Sequence, residues 1–187
     1  QSMLLRIDAG AGADAIAVDA SWRNENASTQ GNISTLTNVH TYNDKPRFDM
    51  SIMPSQLLLR VTTWNIYRSA VSYSMADTAL IIDSLHVGSM FQEITAQGIA
   101  SSRATDSIFV KLKQIDIDYI LRFTKIYDII HFSGMIDGWA KVYSVFSSPM
   151  FEADARIDSA HINYALLGDA HATASLEIGR ASCRERV

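Results

Sequence analysis

The segment Phe151-Glu-Ala-Asp-Ala-Arg-Ile-Asp158 alternates apolar and charged residues without a break. Side chains of a β-strand point to opposite faces with a period of two, so Phe151, Ala153, Ala155 and Ile157 share one face and Glu152, Asp154, Arg156 and Asp158 share the other. A strand of this kind belongs to a sheet with one wet face and one dry face. The dry face must be covered, and the function turns on whether a second sheet or a ligand covers it.

The same period recurs along the chain. Met3, Leu5 and Ile7 make a first strand, and a turn follows at Gly10-Ala-Gly12-Ala-Asp14. Ile16, Val18, Ala20 and Trp22 form the dry side of the next strand, opposite Asp19, Ser21 and Arg23. A polar turn from Asn24 to Gly31 leads to a Thr- and Val-rich strand from Ile33 to His40, and a second turn covers Asn43 to Pro46. Phe48, Met50 and Ile52 alternate up to Pro54, and Leu57, Leu59 and Val61 alternate again before Trp64. Further strands are read at Val71 to Met75, Ala79 to Val87, Phe91 to Ala100, Ile108 to Lys113, and from Phe132 onward. One segment departs from period two. Behind Asp116 as an N-cap, Ile117, Ile120, Leu121 and Thr124 fall at helical spacing, which predicts one short helix near 116–125, a lid or connector. Strands in series with short turns and no alternating helices predict a mainly all-β chain, an antiparallel meander.

The chain of 187 residues is long enough for one domain with a real core, and 48% apolar with 19% charged residues is a globular balance. No apolar run reaches the length of a membrane-spanning helix. The opening Gln1-Ser-Met-Leu-Leu5 reads as a piece cut from a longer chain. At the other end, Glu177 to Val187 leaves the alternation and looks like the in-frame translation of a sequencing adapter. The organisation expected is therefore residues 1–176 as a section of one β-domain and residues 177–187 as a non-native tail. Cys183, the single cysteine, lies in that tail. Without residues 178–187 the formal charge falls from −4 to −6, which argues against a nucleic-acid footprint.

No catalytic constellation emerges. Gly10-Ala-Gly12-Ala-Asp-Ala15 matches a dinucleotide fingerprint, but a strand follows where the fingerprint needs a helix N-terminus. His40, His86, His131, His161 and His171 have no close ligand spacing and read as solvated strand residues. Asp116 and Asp118 read as a helix cap and a first-turn acid, and neither Ser133-Gly134 nor Ser102-Arg103 offers a nucleophile elbow. The sequons at Asn26 and Asn32 carry no weight. No enzyme activity, cofactor or metal is expected.

Several segments carry a family resemblance. Thr63-Trp-Asn-Ile-Tyr67, Ala79 to Leu85, Gly98-Ile-Ala-Ser101, Asp106 to Val110 and Ile117 to Leu121 read like successive strands of the TamB family, the translocation and assembly module proteins of Gram-negative envelopes. The likeness is strongest in Phe132-Ser-Gly-Met-Ile-Asp-Gly-Trp-Ala140 and Leu166-Leu-Gly-Asp-Ala-His171, and it covers most of the chain from Pro54 to Leu176. This chain departs from the pattern at Ser144, near which many relatives have glycine in a turn. The resemblance implies a long periplasmic protein tied to the inner membrane. Its elongated sheet is curled into an open groove with an apolar interior, and it works in phospholipid transport and outer-membrane protein assembly. The partners implied are phospholipid acyl chains, an outer-membrane barrel protein and the rest of the parent chain, with no nucleic acid.

The residues are compatible with that role. A lipid chain exposed to water costs about 0.8 kcal/mol per CH₂, or roughly 13 kcal/mol for about sixteen carbons, and a continuous dry trough removes most of this. Ala153, Ala155, Ala160, Ala170, Ala172 and Ala174 leave room that a packed sandwich would fill with larger side chains. The candidate lining residues are Val71, Tyr73, Ile81, Leu85 and Val87 in the first half of the groove. In the second half they are Phe132, Ile136, Val142, Phe151, Ile157 and Ile162. The alternatives are a closed β-sandwich acting as a structural or adhesin-type binding module and an outer-membrane barrel, for which Trp22, Trp64 and Trp139 are too scattered to form a girdle.

Overall fold

The computed structural model of the chain describes residues 2–59, 61–118, 131–163, 165–177 and 180–186. The strands are β1 (Met3–Ala11), β2 (Ala15–Asn24), β3 (Thr29–Tyr42), β4 (Lys45–Ile52), β5 (Ser55–Leu59), β6 (Thr62–Ile66) and β7 (Ser69–Ser74). They continue as β8 (Ala79–Ser89), β9 (Gln92–Ala100), β10 (Ser107–Asp116), β11 (Phe132–Tyr143), β12 (Met150–Ile162), β13 (Ala165–Glu177) and β14 (Arg180–Arg186). All of them belong to one 14-stranded antiparallel sheet ordered β1-β2-β3-β4-β7-β8-β9-β10-β11-β12-β13-β14, with β5 and β6 off this path. The all-β antiparallel meander expected from the alternation is the fold.

The two strands off the path complete the meander. β5 pairs with β3 and β6, and β6 pairs with β8. β4 and β5 are thus two halves of one lane, and β6 and β7 are two halves of the next. Both lanes break at the same level, at Met53-Pro54 and Tyr67-Arg68, between the pairs Ile52↔Ser69 and Ser55↔Ile66. The two breaks are built alike. Ser55 Oγ donates to Met53 O at 2.8 Å and Ser69 Oγ to Tyr67 O at 2.9 Å. The Met53 N–H reaches Ser34 O and the Tyr67 N–H reaches His86 O, each at 2.9 Å. Pro54 ends β4 as expected, whereas Val61 lies in the β5–β6 turn, 94% exposed, and not on a strand.

Turn chemistry sets the register elsewhere. Tyr42 and Lys45 pair across a two-residue loop whose Asn43 and Asp44 have φ of 49° and 58°, the left-handed pair that matches strand twist. Ser144 also sits at a left-handed φ of 50°, which explains why glycine suits this turn. Its neighbours tie two turns together. The Phe146 N–H donates to Ser101 O at 3.1 Å, and Ser147 Oγ donates to Ser102 O at 3.1 Å. Inside the β9–β10 turn, the buried Ser101 hydroxyl donates to Asp106 Oδ2 at 2.7 Å, and Arg103 Nε donates to the same oxygen at 2.9 Å.

The Ser101 hydroxyl first, with Arg103 adding to it, holds the Asp106 carboxyl below the usual carboxylate range. A carboxyl lowered on folding stabilises the fold above its unfolded pKa, and the contribution disappears as pH falls through the lowered value. The Ser101→Ala variant is expected to move the Asp106 titration upward, read by NMR of its carboxyl carbon. An unshifted titration would mean that the hydroxyl does not govern this group.

Several ladders contain an extra residue on one strand, which bends that strand and increases its twist. In β10 the extra residue is Gln114, at φ 49°, and its N–H is taken by Asp137 Oδ1 of β11 at 3.0 Å. In β12 it is Ser159, at φ 53°, and its N–H is taken by Asp169 Oδ1 of β13 at 3.0 Å. At these two bulges a carboxylate from the next strand therefore satisfies the amide released from the ladder. Asp137→Ala leaves the Gln114 amide without this acceptor and is expected to cost about 1–3 kcal/mol in urea unfolding. Asp137→Asn retains a carbonyl oxygen and should lose less. An alanine variant as stable as the parent would refute the clamp.

The helix expected near 116–125 falls mainly on residues 119–130, outside the described residues. Before that segment the Asp118 N–H donates to the Asp116 carboxylate at 3.0 Å. Residues 180–186 of the tail lie along β13 as β14.

Candidate functional site

Residues directly opposite in a ladder share a face, so the pairings carry one face across the whole sheet. Starting from Ile157, the face runs through Ile136 of β11 and Ile115 of β10, and through Val142 to Ile108. From Ile108 it passes to Gly98 of β9, Ile82 of β8, Val71 of β7 and Met50 of β4. It continues through Thr37 and Ile16 to Ala11. Over β1 to β13 this face holds no Asp, Glu, Lys, Arg or His: the register puts every such strand residue on the other side.

The charged face is laced by cross-strand pairs. His40 meets Asp49 at 3.2 Å, His86 meets Glu93 at 2.9 Å, and His171 meets Asp154 at 3.1 Å. In each pair the two residues come from adjacent strands. Lys141 Nζ stands 4.8 Å from the centre of the Tyr143 ring, and Phe109 and Trp139 stack at 5.9 Å on the same side. Among the described residues no group of three or more His, Cys, Asp or Glu is placed to hold a metal ion. None of their helices is long and apolar enough to cross a membrane.

Ten of the sequence candidates meet on the charge-free face. Val142 stands opposite Phe151, Ile136 opposite Ile157, and Phe132 opposite Ile162. Val71 and Tyr73 face Met50 and Phe48, and Leu85 and Val87 face Ala96 and Ile94. Ile81 is the exception. It pairs with Ile99 and Ser72 on the charged face, and Ile82 takes its place. The cause is the bulge between Ile82 and Leu85: one extra residue reverses the phase, so strict alternation from Leu85 back to Ile81 fails. Ile94, Val110 and Leu112 also line the face, and their alternation was readable, whereas Ile115 joins it only through the bulge at Gln114. Trp64 and Ile66 line it too, brought in by the paired strand breaks.

The large side chains of this face are crowded by one another but not sealed. Ile136, Val142, Phe151, Ile157, Leu85 and Val87 are all half-buried. The buried apolar residues are few, with Ile52, Trp64, Ile66 and Ile115 the large ones. The chain exposes 12,039 Å², whereas a compact monomer of its mass is expected to expose about 8,900 Å². The fold and face define a single-sheet all-β protein with one charge-free side whose large side chains are half-buried. No protein-family model, curated protein or solved structure matches this chain.

Proposed function

We propose that the charge-free face is an acyl-chain trough, and that the chain is a section of an envelope protein that shields lipid between membranes. The observation that carries this reading is the sorting of every charged strand residue of β1 to β13 to one side while the other side stays half-exposed. An unpaired charge against hydrocarbon is costly, so an acyl-chain surface must exclude charges over its whole length. From β1 to β13 the path crosses ten inter-strand gaps, an arc of about 48 Å at roughly 4.8 Å each. One acyl chain needs about 15 Å, half the hydrocarbon thickness of a bilayer. The role is physical shielding, without catalysis or cofactor.

The resemblance to the TamB family supports the same reading and adds the periplasm, an inner-membrane anchor, phospholipid as cargo and an outer-membrane barrel partner. A closed sandwich or adhesin-type module accounts less well for the large half-exposed side chains. The test is capture of a phospholipid carrying a photoactivatable acyl chain by the purified chain, with crosslinks mapped by mass spectrometry. Adducts on Ile136, Phe151 and Ile157 are expected. Adducts confined to the side of Asp154 and Arg156 would overturn the proposal.

A further inference from the structure

We propose that two neighbouring hairpin tips, the β5–β6 turn with Val61 and the β8–β9 turn with Met90 and Phe91, form a lip that dips into the interface of a phospholipid bilayer. Val61 is 94% exposed, Met90 93% and Phe91 78%. The two tips share one rim of the sheet: β6 begins where antiparallel β8 ends, and the two strands meet at Asn65↔Gly88 and Ile66↔Val87. Counting out from that pair sets Thr62 level with Phe91, so both turns project to about the same height. The lanes run β5, β6, β8, β9, which puts the turns two lane spacings apart, about 10 Å. Further lanes beside β1 or β14 would lengthen this rim without covering its turns.

The turn itself does not call for these residues. Met90 and Phe91 are the two loop residues between the paired Ser89 and Gln92, and Met90 has a φ of 47°. A two-residue hairpin loop takes glycine, asparagine or aspartate at a left-handed position, and a long apolar side chain there is uncommon. The opposite rim differs. Asp14, Asp44, Asp77 and Asp106 stand in its turns, and its large apolar residues Met75 and Phe146 are only 44% and 45% exposed.

Two observations choose a bilayer over a protein. A specific protein interface engages about 20–30 residues a side, whereas three side chains on two convex tips need no matching surface to enter lipid. Behind the tips lies a cavity of about 450 Å³ whose lining includes Tyr67, His86, Glu93 and Lys113. Tyr67 is 46% exposed, with its ring stacked on His86 at 4.2 Å. Glu93 lies between His86 at 2.9 Å and Lys113 at 3.8 Å, so its charge is offset. An exposed tyrosine and a lysine one step behind apolar tips match the headgroup layer, where tyrosine collects and an ammonium group reaches phosphate. The contact does not depend on the trough reading, since all three tip residues lie in turns, outside the strands that carry the charge-free face.

The experiment is flotation of the purified chain with vesicles of phosphatidylcholine and phosphatidylglycerol, with circular dichroism as a check on folding. The parent is expected to float with the vesicles. Met90→Gly/Phe91→Ser supplies residues that a two-residue loop prefers, so it should fold as the parent does and bind vesicles about tenfold or more weakly. Val61→Ser, in the other turn, should weaken binding by about threefold or more. Met75→Ser/Phe146→Ser, on the opposite rim, should float like the parent, and so should Ile136→Glu. A parent that stays in the aqueous fraction overturns the lip. So does flotation that both tip variants retain, or that the opposite-rim variant loses equally. A parent that dimerises without vesicles in sedimentation velocity, through tips whose replacement makes it monomeric, also overturns it, because a second copy would then cover them. Acyl-chain capture unimpaired in Ile136→Glu, with flotation lost only in the tip variants, would count against the trough and leave the lip standing.

Discussion

Ile136→Glu is expected to abolish capture of the photoactivatable acyl chain, while Met135→Lys leaves capture intact. The two positions are adjacent in β11 and point to opposite faces: Ile136 pairs with Ile157, and Met135 pairs with Asp158. In the lipid-free chain Ile136 is half-buried, so a carboxylate there keeps part of its water and the fold is expected to survive. An acyl chain lying on that face removes the water. The penalty then reaches about 3 kcal/mol or more, over about a hundredfold in affinity. Lysine at position 135 gains a carboxylate neighbour, stays in solvent and is expected to change capture by less than about twofold. Equal capture by both variants would sink the trough assignment, because adjacent residues could then not tell the faces apart.

The largest expected loss of stability comes from Gly98→Ala. Gly98 sits in β9 between Ile82 of β8 and Ile108 of β10, at φ +128°, a conformation that other residues rarely adopt. A Cβ built there lies 2.1 Å from Ser107 O and 3.0 Å from Ile108 Cα, both backbone atoms of the neighbouring strand. The β9–β10 ladder must open or Gly98 must change its backbone angles, and about 3 kcal/mol or more is expected by urea unfolding. Gly10→Ala is the control. Nothing lies within 4 Å of a Cβ at Gly10, and its change should stay within about 0.5 kcal/mol. Comparable losses at the two sites would show that the close approach at Gly98 is relieved at no cost.

Much of the fold was legible because charge and strand phase coincide. In β12 the string from Phe151 to Asp158 fixes both faces by itself, and β11 and β13 repeat its apolar phase. The bulges escaped detection because their defining feature lies on another strand. Nothing local marks Gln114 as an extra residue; the carboxylate that holds it, Asp137, is 23 positions away. Ser159 depends in the same way on Asp169. The misplacement of Ile81 comes from a bulge too: strict alternation from Leu85 back to Ile81 would set Asp83 on the charge-free face, and the extra residue between Ile82 and Leu85 avoids this. Val61 failed for a different reason. A β-branched residue in phase with Leu57 and Leu59 reads as strand, and only the pairing of Leu59 with Thr62 reveals a hairpin tip.

Strand order here follows chain order, lane by lane, with β4–β5 and β6–β7 counted as single lanes. Each lane therefore couples only to the one before and the one after it, and the molecule behaves as a one-dimensional array. It can zip up from one end as the polypeptide emerges, with no lane waiting for a distant partner. Lanes can be gained or lost over evolutionary time without redesign of a shared centre, and damage to one lane remains confined to its neighbourhood.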